Sequence, residues 1–310
     1  MDIKKVTVIG GGVLGSQIAY QSAYKGFDVT TWVRSEGSIE RARPKMERLH
    51  GIYVAELTAA RDRGARLSRG LSSESVPDYD ALIAAADRAC ESFRYCTDLA
   101  EAVSDADLVI EALSENLDEK EEFYTKLRSL LPEKTIIATN SSTLLPSMMA
   151  GFTGRPEKFL ALHFANNIWM QNTAEIMGHS GTDAAAYEQV AEFAEAIGMV
   201  PLRIKKEKAG YILNSMLVPF LSSSLALLVD GIADAETIDK TWVLATGAPM
   251  GPFRILDVVG LTTAFNIVAA NPAAKDPNSA HARIAKMLKE EYIDKGKTGV
   301  NAGEGFYKYG

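Results

Sequence analysis

Residues 5–34 read KVTVIGGGVLGSQIAYQSAYKGFDVTTWVR, and this segment specifies the fold class. A β-branched strand leads into a Gly-x-Gly-x-x-Gly turn, which is followed by an amphipathic helix closed near Gly26 and a second strand over residues 28–33. This order within one βαβ length is typical of a dinucleotide-binding unit, in which the glycines allow a tight turn, close approach of a pyrophosphate and close helix packing. The helix N-terminus adds free N–H groups. The predicted cofactor contacts in this turn are Gly10, Gly12, Val13, Leu14 and Gly15.

The end of the second strand predicts which nicotinamide cofactor binds. An acidic residue there normally bonds the ribose 2′-hydroxyl of NAD. This chain instead has Arg34 and Ser35, and its first carboxylate after the strand is Glu36. A guanidinium binds a 2′-phosphate in bidentate fashion, whereas a carboxylate repels it. We therefore expect NADP(H) to be favoured over NAD(H), with Arg34 and Ser35 as contacts. The alternative is that Arg34 stacks on the adenine of NAD.

Composition limits the class of protein. The chain has 310 residues, 47% of them hydrophobic, with a net charge of -7. The length suits two domains, and the acidic balance argues for a small-molecule ligand rather than nucleic acid or a membrane surface. Cys90 and Cys96 form neither a metal-ligand spacing nor a disulfide framework, and no apolar run approaches ~20 residues. We expect a cytoplasmic protein that neither is exported nor spans a membrane.

Strand and helix patterns alternate through the first two thirds of the chain, which predicts a mostly parallel sheet. The further strands are expected over residues 106–111, 135–139, 159–164, 173–177 and 199–204, and the helices between them over residues 118–131 and 184–197. An arginine-rich helical excursion spans about residues 39–94. Its arginines 61, 63, 66 and 69 are interpreted as a solvated face, with contacts to ligand phosphates as the alternative.

The pattern changes after the charged run at residues 205–208. Only helical patterns follow, over residues 214–229, 235–245, 255–271 and 280–295. The predicted fold is α/β: a Rossmann-type, dinucleotide-binding domain at residues 1–205 precedes an all-helical domain at residues 206–310. Because these helices are more apolar than a small domain needs for its own core, we expect a homodimer through the second domain.

A histidine and a glutamate are candidates for acid–base chemistry. His163 lies in the strand at residues 159–164, near the carboxyl edge where open α/β sheets bind ligands, and a loop can return Glu175 beside it. The carboxylate would fix the tautomer of the imidazole and leave its other nitrogen free to exchange a proton with a substrate oxygen. The alternative is a satisfied structural histidine. The four histidines of the chain show no metal-ligand spacing, so no metal site is predicted.

A run of four polar residues and one separate asparagine are less specific candidates. Asn140, Ser141, Ser142 and Thr143 follow a strand and can reach a substrate oxygen or the nicotinamide amide, or can cap a helix. Asn140 is therefore counted among the cofactor contacts. Asn214 is polar among apolar neighbours, which fits a buried satisfied amide as well as a substrate donor.

Taken together, the chain resembles the L-3-hydroxyacyl-CoA dehydrogenase family from end to end. The runs that carry the resemblance are VTVIGGGVLGSQIA, VIEALSENLDEK, TNSSTL, LHFANN, GYILNSMLVPFL, TGAPMGPFRILDVVGL and GEGFYKYG. The family joins a dinucleotide-binding domain to a dimerising helical domain and interconverts 3-hydroxyacyl and 3-oxoacyl thioesters by hydride transfer. The resemblance implies His163 as the base, Glu175 as its partner, and Ser142 and Asn214 as substrate contacts. It also implies cofactor contacts at Glu115, Lys120 and Asn166.

Two positions depart from the family pattern. Arg34 stands where the family usually has an acidic residue, and Asn167 stands where it has the proline of HFxNP, in a loop expected to shape the acyl pocket. A short acyl chain is the default expectation, and with NADPH the expected direction is reduction. The alternatives are oxidation of a free hydroxy acid, a polyol acid or carnitine, or a crystallin-like nucleotide binder without turnover, against which the intact His163, Glu175, Ser142 and Asn214 argue.

Overall fold

A computed structural model describes residues 2–309 of the protein. The chain divides into two compact units, Met1–Ile212 and Leu213–Gly310. The predicted boundary at residues 205/206 lies shortly before this division, directly after the last strand.

The first unit is built on one mostly parallel sheet. Its strands are Lys5–Ile9 (β1), Asp28–Trp32 (β2), Arg94–Cys96 (β3), Leu108–Glu111 (β4), Ile136–Thr139 (β5), Phe159–Phe164 (β6), Thr173–Met177 (β7) and Val200–Ile204 (β8). Their order across the sheet is β3-β2-β1-β4-β5-β6-β7-β8. The strands from β3 to β6 are parallel, β7 runs antiparallel to β6, and β8 runs parallel to β7. The strand order 3-2-1-4-5-6 is that of the Rossmann fold, and the predicted fold class is confirmed.

Helices cover both faces of this sheet. They are Val13–Tyr24 (α1), Glu36–Arg63 (α2), Tyr79–Glu91 (α3), Leu99–Val103 (α4), Leu117–Leu127 (α5), Pro146–Met149 (α6) and Ala184–Ala196 (α7). Side chains of α1 and α7 pack in one core cluster, and those of α4 and α5 pack in another. The central strands β4 and β5 are buried at every position. Burial on both faces explains why their sequences are continuous apolar runs rather than alternating ones.

The excursion after β2 consists of α2 and α3, which share a core with α1 and with Trp169 of the loop after β6. Its exposed Arg61 forms ion pairs with Asp62 and Asp80. The excursion was expected to be helical up to residue 94, but edge strand β3 begins at Arg94. This short strand has no fully buried position, so its sequence lacks the apolar period from which strands are predicted.

The second unit is helical, as expected. Its helices are Leu213–Val229 (α8), Ala235–Thr246 (α9), Pro252–Val259 (α10), Leu261–Ala269 (α11) and Ala280–Met287 (α12). The single helix expected over residues 255–271 is wrong, because the chain bends by 96° between α10 and α11. The bend falls at Gly260, whose φ of +92° is open to glycine and costly for other residues. The helix expected over residues 280–295 is α-helical only to Met287 and continues as a π-helical turn over Leu288–Tyr292.

Among the described residues, no single helix has both the length and the apolar character to cross a membrane, and only the bent α10–α11 pair meets those limits jointly.

Candidate active site

The glycine turn after β1 has the shape of a phosphate cradle. Gly10 has a φ of +110°, and a Cβ there would lie 2.8 Å from the carbonyl oxygen of Ala112. A Cβ at Gly15 would lie 2.1 Å from the carbonyl oxygen of Gly10, so neither position tolerates a side chain. At Gly12, by contrast, a Cβ would stand in open space. The turn therefore packs tightly on the protein side and is open on the side where the backbone of a dinucleotide-binding turn meets the pyrophosphate.

A cationic cleft of about 380 Å³ lies beside this turn, at the end of β2. Its polar lining includes Arg34, Ser38, Arg41, Lys45 and Ser114, together with the three glycines 10–12. The ammonium of Lys45 donates to the carbonyl oxygens of Gly11 and Arg41, at 3.0 and 3.1 Å. Three cations and no carboxylate line the part of the cleft that the structure describes. The cleft thus suits an anionic ligand.

The exposed Arg34 already has one partner. Its Nη2 donates to Oε2 of Glu119 at 3.1 Å, and the same carboxylate oxygen accepts the hydroxyl of Ser114 at 2.6 Å. The Ser114 hydroxyl, followed by the Arg34 guanidinium, lowers the pKa of Glu119. Ser35, the other predicted contact here, lies 3.1 Å from Ser38 between hydroxyl oxygens.

His163 and Glu175 form a buried pair at the carboxyl edge of the sheet. The two residues lie directly opposite each other in the antiparallel β6–β7 register. Their side chains are 6% and 4% exposed, and Nδ1 of His163 lies 3.0 Å from Oε2 of Glu175. The Nε2 atom lies 3.1 Å from Oγ of Ser142. The predicted proximity of His163 and Glu175 is therefore present, and the imidazole has a partner at each nitrogen.

The loop after β5 is fixed by Glu115. One carboxylate oxygen of Glu115 accepts hydrogen bonds from the Ser141 hydroxyl at 2.7 Å and from the backbone N–H and hydroxyl of Thr143 at 2.7 and 2.9 Å. Although burial raises the pKa of Glu115, the bonds from Ser141 and Thr143 outweigh it, and this pKa lies below its usual value. Asn140 accepts the N–H of Phe164 at 3.1 Å, which ties the same loop to β6.

Lys120 belongs to a buried network under this edge. Its ammonium lies 2.5 Å from Oε1 of Glu111, and both side chains are 0% exposed. Glu111 also accepts the hydroxyls of Tyr124 and Thr139, at 2.9 and 2.8 Å, and the N–H of Leu113 at 2.6 Å. Glu111 was not selected from the sequence. A carboxylate at the end of an apolar strand is the feature that could have indicated it. The role of Lys120 as a cofactor contact stays a prediction, since the structure places its ammonium in this network.

Asn166 is exposed in the loop after β6, and Asn214 is half-buried in α8 of the second unit. Their roles stay predictions. Tyr211, which the sequence did not single out, stacks on the imidazole of His163 with ring centroids 4.3 Å apart.

The departure at Asn167 has a conformational cause. Asn167 has a φ of +59°, and its N–H donates to Oε1 of Gln17 at 2.8 Å. A proline has φ near -65° and no N–H, so it is incompatible with both features. The loop then folds back, because the carbonyl oxygen of Asn167 accepts the N–H groups of Met170 and Gln171 at 2.8 and 2.9 Å.

We expect Asn167→Pro to destabilise the fold by roughly 3 kcal/mol or more, since it loses the Gln17 bond and forces the backbone out of its left-handed conformation. Thermal unfolding of the variant measures this, with Asn166→Pro as the neighbouring control. If Asn167→Pro unfolds at the same temperature as the wild type, this account of the loop is wrong.

The glycine cradle, the cationic cleft and the acid–base pair at the same sheet edge define the class of protein: an oxidoreductase that uses a nicotinamide dinucleotide. Comparisons with known proteins give the family. Residues 5–208 match the model of the 3-hydroxyacyl-CoA dehydrogenase NAD binding domain, and residues 210–309 match that of the 3-hydroxyacyl-CoA dehydrogenase C-terminal domain. The chain belongs to the 3-hydroxyacyl-CoA dehydrogenase family.

Individual relatives align along the full chain. The mitochondrial hydroxyacyl-coenzyme A dehydrogenase of Homo sapiens is 31% identical over 99% of this chain and 91% of its own length. A 3-hydroxybutyryl-CoA dehydrogenase of Mycobacterium tuberculosis is 31% identical, covering 99% of both chains. The solved structure of a diketoreductase, described as acting on dicarbonyl compounds, is 53% identical over 100% of both chains with a TM-score of 0.87. These relatives agree on redox chemistry and differ in the substrate that carries the keto group.

Proposed function

We propose that the enzyme interconverts a 3-hydroxyacyl thioester of coenzyme A, with a short acyl chain, and the corresponding 3-oxoacyl thioester. The observation that carries this proposal is the line of contacts from Ser142 through His163 to Glu175 at the carboxyl edge of the sheet. The nicotinamide, when bound, supplies or accepts the hydride. The protein's own residues then have to move one proton at the substrate oxygen and orient that oxygen.

In this proposal, these tasks fall to His163, Glu175 and Ser142. Nε2 of His163 takes the proton of the 3-hydroxyl group during oxidation and returns it to the oxygen formed from the 3-oxo group during reduction. Glu175 on Nδ1 keeps the imidazole in one tautomer and stabilises the imidazolium. Ser142, 3.1 Å from Nε2, is placed to share the substrate oxygen with the histidine. Asn214 is the further substrate contact that the family pattern implies.

A second candidate substrate is a free dicarbonyl compound. It is favoured by the 53% identity to the diketoreductase. The proposed chemistry at His163 is the same for both substrates. In each of them, a single carbon separates the keto group from a second carbonyl group.

The test is oxidation of the reduced nicotinamide with acetoacetyl-CoA and with a free 1,3-dicarbonyl compound, compared as kcat/KM. A higher value with the thioester supports the first candidate, and a higher value with the free dicarbonyl compound supports the second. Turnover of neither compound would refute both.

We propose that the enzyme favours NADP(H) over NAD(H). The proposal is supported by the cations of Arg34, Arg41 and Lys45, which lie in one cleft with the hydroxyl of Ser38. A 2′-phosphate would gain charge-assisted hydrogen bonds there. The Arg34–Glu119 pair is exposed, so opening it to admit a phosphate costs little.

Replacing Arg34 by Asp should shift the ratio of kcat/KM for NADPH over NADH by about 10- to 100-fold toward NADH, because one bond to a charged group is lost and a like charge is added. Arg43→Asp, on the exposed face of α2 and outside the cleft, is the matched control and should leave the ratio unchanged. If the wild-type enzyme already prefers NADH, the role given to Arg34 is refuted.

We propose a homodimer through the helical unit. The support is a set of exposed large apolar side chains, including Met216 at 63%, Ile232 at 68% and Leu244 at 73%. Single exposed apolar residues are ordinary, but several within one unit of about 100 residues suggest a surface that a second copy covers.

Light scattering after size exclusion should therefore give about twice the 33.6 kDa chain mass. Leu244→Asp should shift the population toward monomer, whereas Val76→Asp, at an 85% exposed position of the first unit, should not. A wild-type monomer at micromolar concentration would refute the dimer.

A further inference from the structure

The last residues of the first unit contact both members of the acid–base pair. The Tyr211 ring lies nearly parallel to the His163 imidazole, at 13° with centroids 4.3 Å apart. The next N–H, that of Ile212, donates to Oε1 of Glu175 at 2.8 Å. The Tyr211 hydroxyl donates to the carbonyl oxygen of Ser141 at 2.7 Å, next to Ser142. One short segment thus contacts the histidine, the glutamate and the serine loop.

The backbone of this segment is unusual. Tyr211 has a φ of +54° and follows Gly210 at +80°, and its side chain is only 1% exposed. A bulky residue in the left-handed region is strained and persists only where its surroundings fix it. The contacts that fix it include the stacked imidazole and the Ser141 carbonyl, both of which belong to the site.

We propose that Tyr211 is a positioning residue that fixes the plane of the His163 imidazole for proton transfer. This proposal rests on the proposed function, because it requires His163 to exchange the proton. The plane of the imidazole turns by rotation about the Cβ–Cγ bond of His163. The hydrogen bonds at Nδ1 and Nε2 oppose this rotation at two points. The stacked ring of Tyr211 opposes it over a whole face.

The hydroxyl of Tyr211 holds the stacked ring in place through its hydrogen bond to the carbonyl oxygen of Ser141. Burial raises the pKa of Tyr211 far above its usual value, so the phenol stays protonated and remains a donor to Ser141. Through that bond the tyrosine couples the imidazole to the loop that carries Ser142. A catalytic group that is free to tilt loses the alignment on which proton transfer depends, and small misplacements have large kinetic effects.

The test compares two tyrosine variants with a matched control. Tyr211→Leu removes the stacked ring and should lower kcat by ~10- to 100-fold while leaving KM for the cofactor unchanged. Tyr211→Phe keeps the stacked ring, so its kcat should stay much closer to the wild-type value than that of Tyr211→Leu. Tyr24→Leu is the control, because Tyr24 is also buried and donates to a backbone carbonyl, that of Leu71 at 3.0 Å, away from the site. It should lower the melting temperature while leaving kcat unchanged.

A second readout does not depend on turnover. Ring current from a stacked tyrosine shields the Hε1 proton of His163, so this NMR signal, assigned by its loss in His163→Gln, should move downfield in Tyr211→Leu and stay in place in Tyr24→Leu. Tyr211→Leu with wild-type kcat, or with the same fractional loss of kcat as Tyr24→Leu, overturns the proposal. An inactive wild type, or an active His163→Gln, instead refutes the proposed function, and the NMR shift still reports whether the ring is stacked.

Discussion

His163→Gln is expected to lower kcat by ~10²- to 10⁴-fold, the usual contribution of general acid–base catalysis. Glutamine can keep a hydrogen bond to Glu175 or Ser142 but cannot take up and release a proton near neutral pH. The measurement is steady-state oxidation of the reduced cofactor with whichever 3-oxo compound the wild-type enzyme prefers. The melting temperature should change little, because glutamine keeps one of the two polar contacts.

The control for this variant is the same substitution at His179. This residue follows β7, which runs antiparallel to β6, so it lies at the opposite edge of the sheet from His163. Its ring bonds backbone groups, with Nε2 3.0 Å from the carbonyl oxygen of Pro156 and Nδ1 accepting the N–H of Gly181 at 3.1 Å. His179→Gln should keep wild-type kcat. Near-normal turnover by folded His163→Gln would remove His163 from the mechanism.

Lys120→Met is expected to lower the free energy of unfolding by about 3–5 kcal/mol, the typical cost of breaking a buried ion pair from one side. The substitution leaves the Glu111 carboxylate at 0% exposure without its cation. The hydroxyls of Tyr124 and Thr139 satisfy its lone pairs but do not neutralise its charge. Urea unfolding followed by circular dichroism measures the loss.

Lys126→Met is the matched control, because Lys126 lies on the same helix α5 with its side chain exposed. It should change the unfolding free energy by less than about 0.5 kcal/mol. The double variant Glu111→Leu/Lys120→Met should recover part of the loss, since an apolar pair no longer buries an unpaired charge. Equal effects of the two lysine substitutions would show that the buried pair contributes nothing to stability.

Local signals were enough to predict most of the fold. The glycine turn and the apolar period specify β1, α1 and β2, and the strand at residues 159–164 has the predicted bounds. The edge strand at Arg94 and the break at Gly260 were missed for different reasons. The first is too short and too exposed to show a period, and the second is a single glycine within an otherwise continuous helical pattern.

The site was predicted where chemistry and strand position coincide, and missed where it depends on packing. His163 and Glu175 are recognisable because ionisable groups in apolar strands need a partner. The contact of Tyr211 depends on two left-handed residues in succession, which only a structure shows. The network of Glu111 likewise joins β4, β5 and α5, elements far apart in the sequence.

The His163–Glu175 pair is set by strand register, and this constrains how the enzyme can diversify. Successive residues of a strand face opposite sides of the sheet, so sliding β7 by one position would carry Glu175 to the other face. An insertion or deletion in the loop at residues 165–172 that was absorbed by such a slide would disconnect the base from its carboxylate. Substitutions in that loop leave the register intact. We therefore expect libraries that seek new substrate preferences to yield active enzymes when they vary the residues of this loop and keep their number.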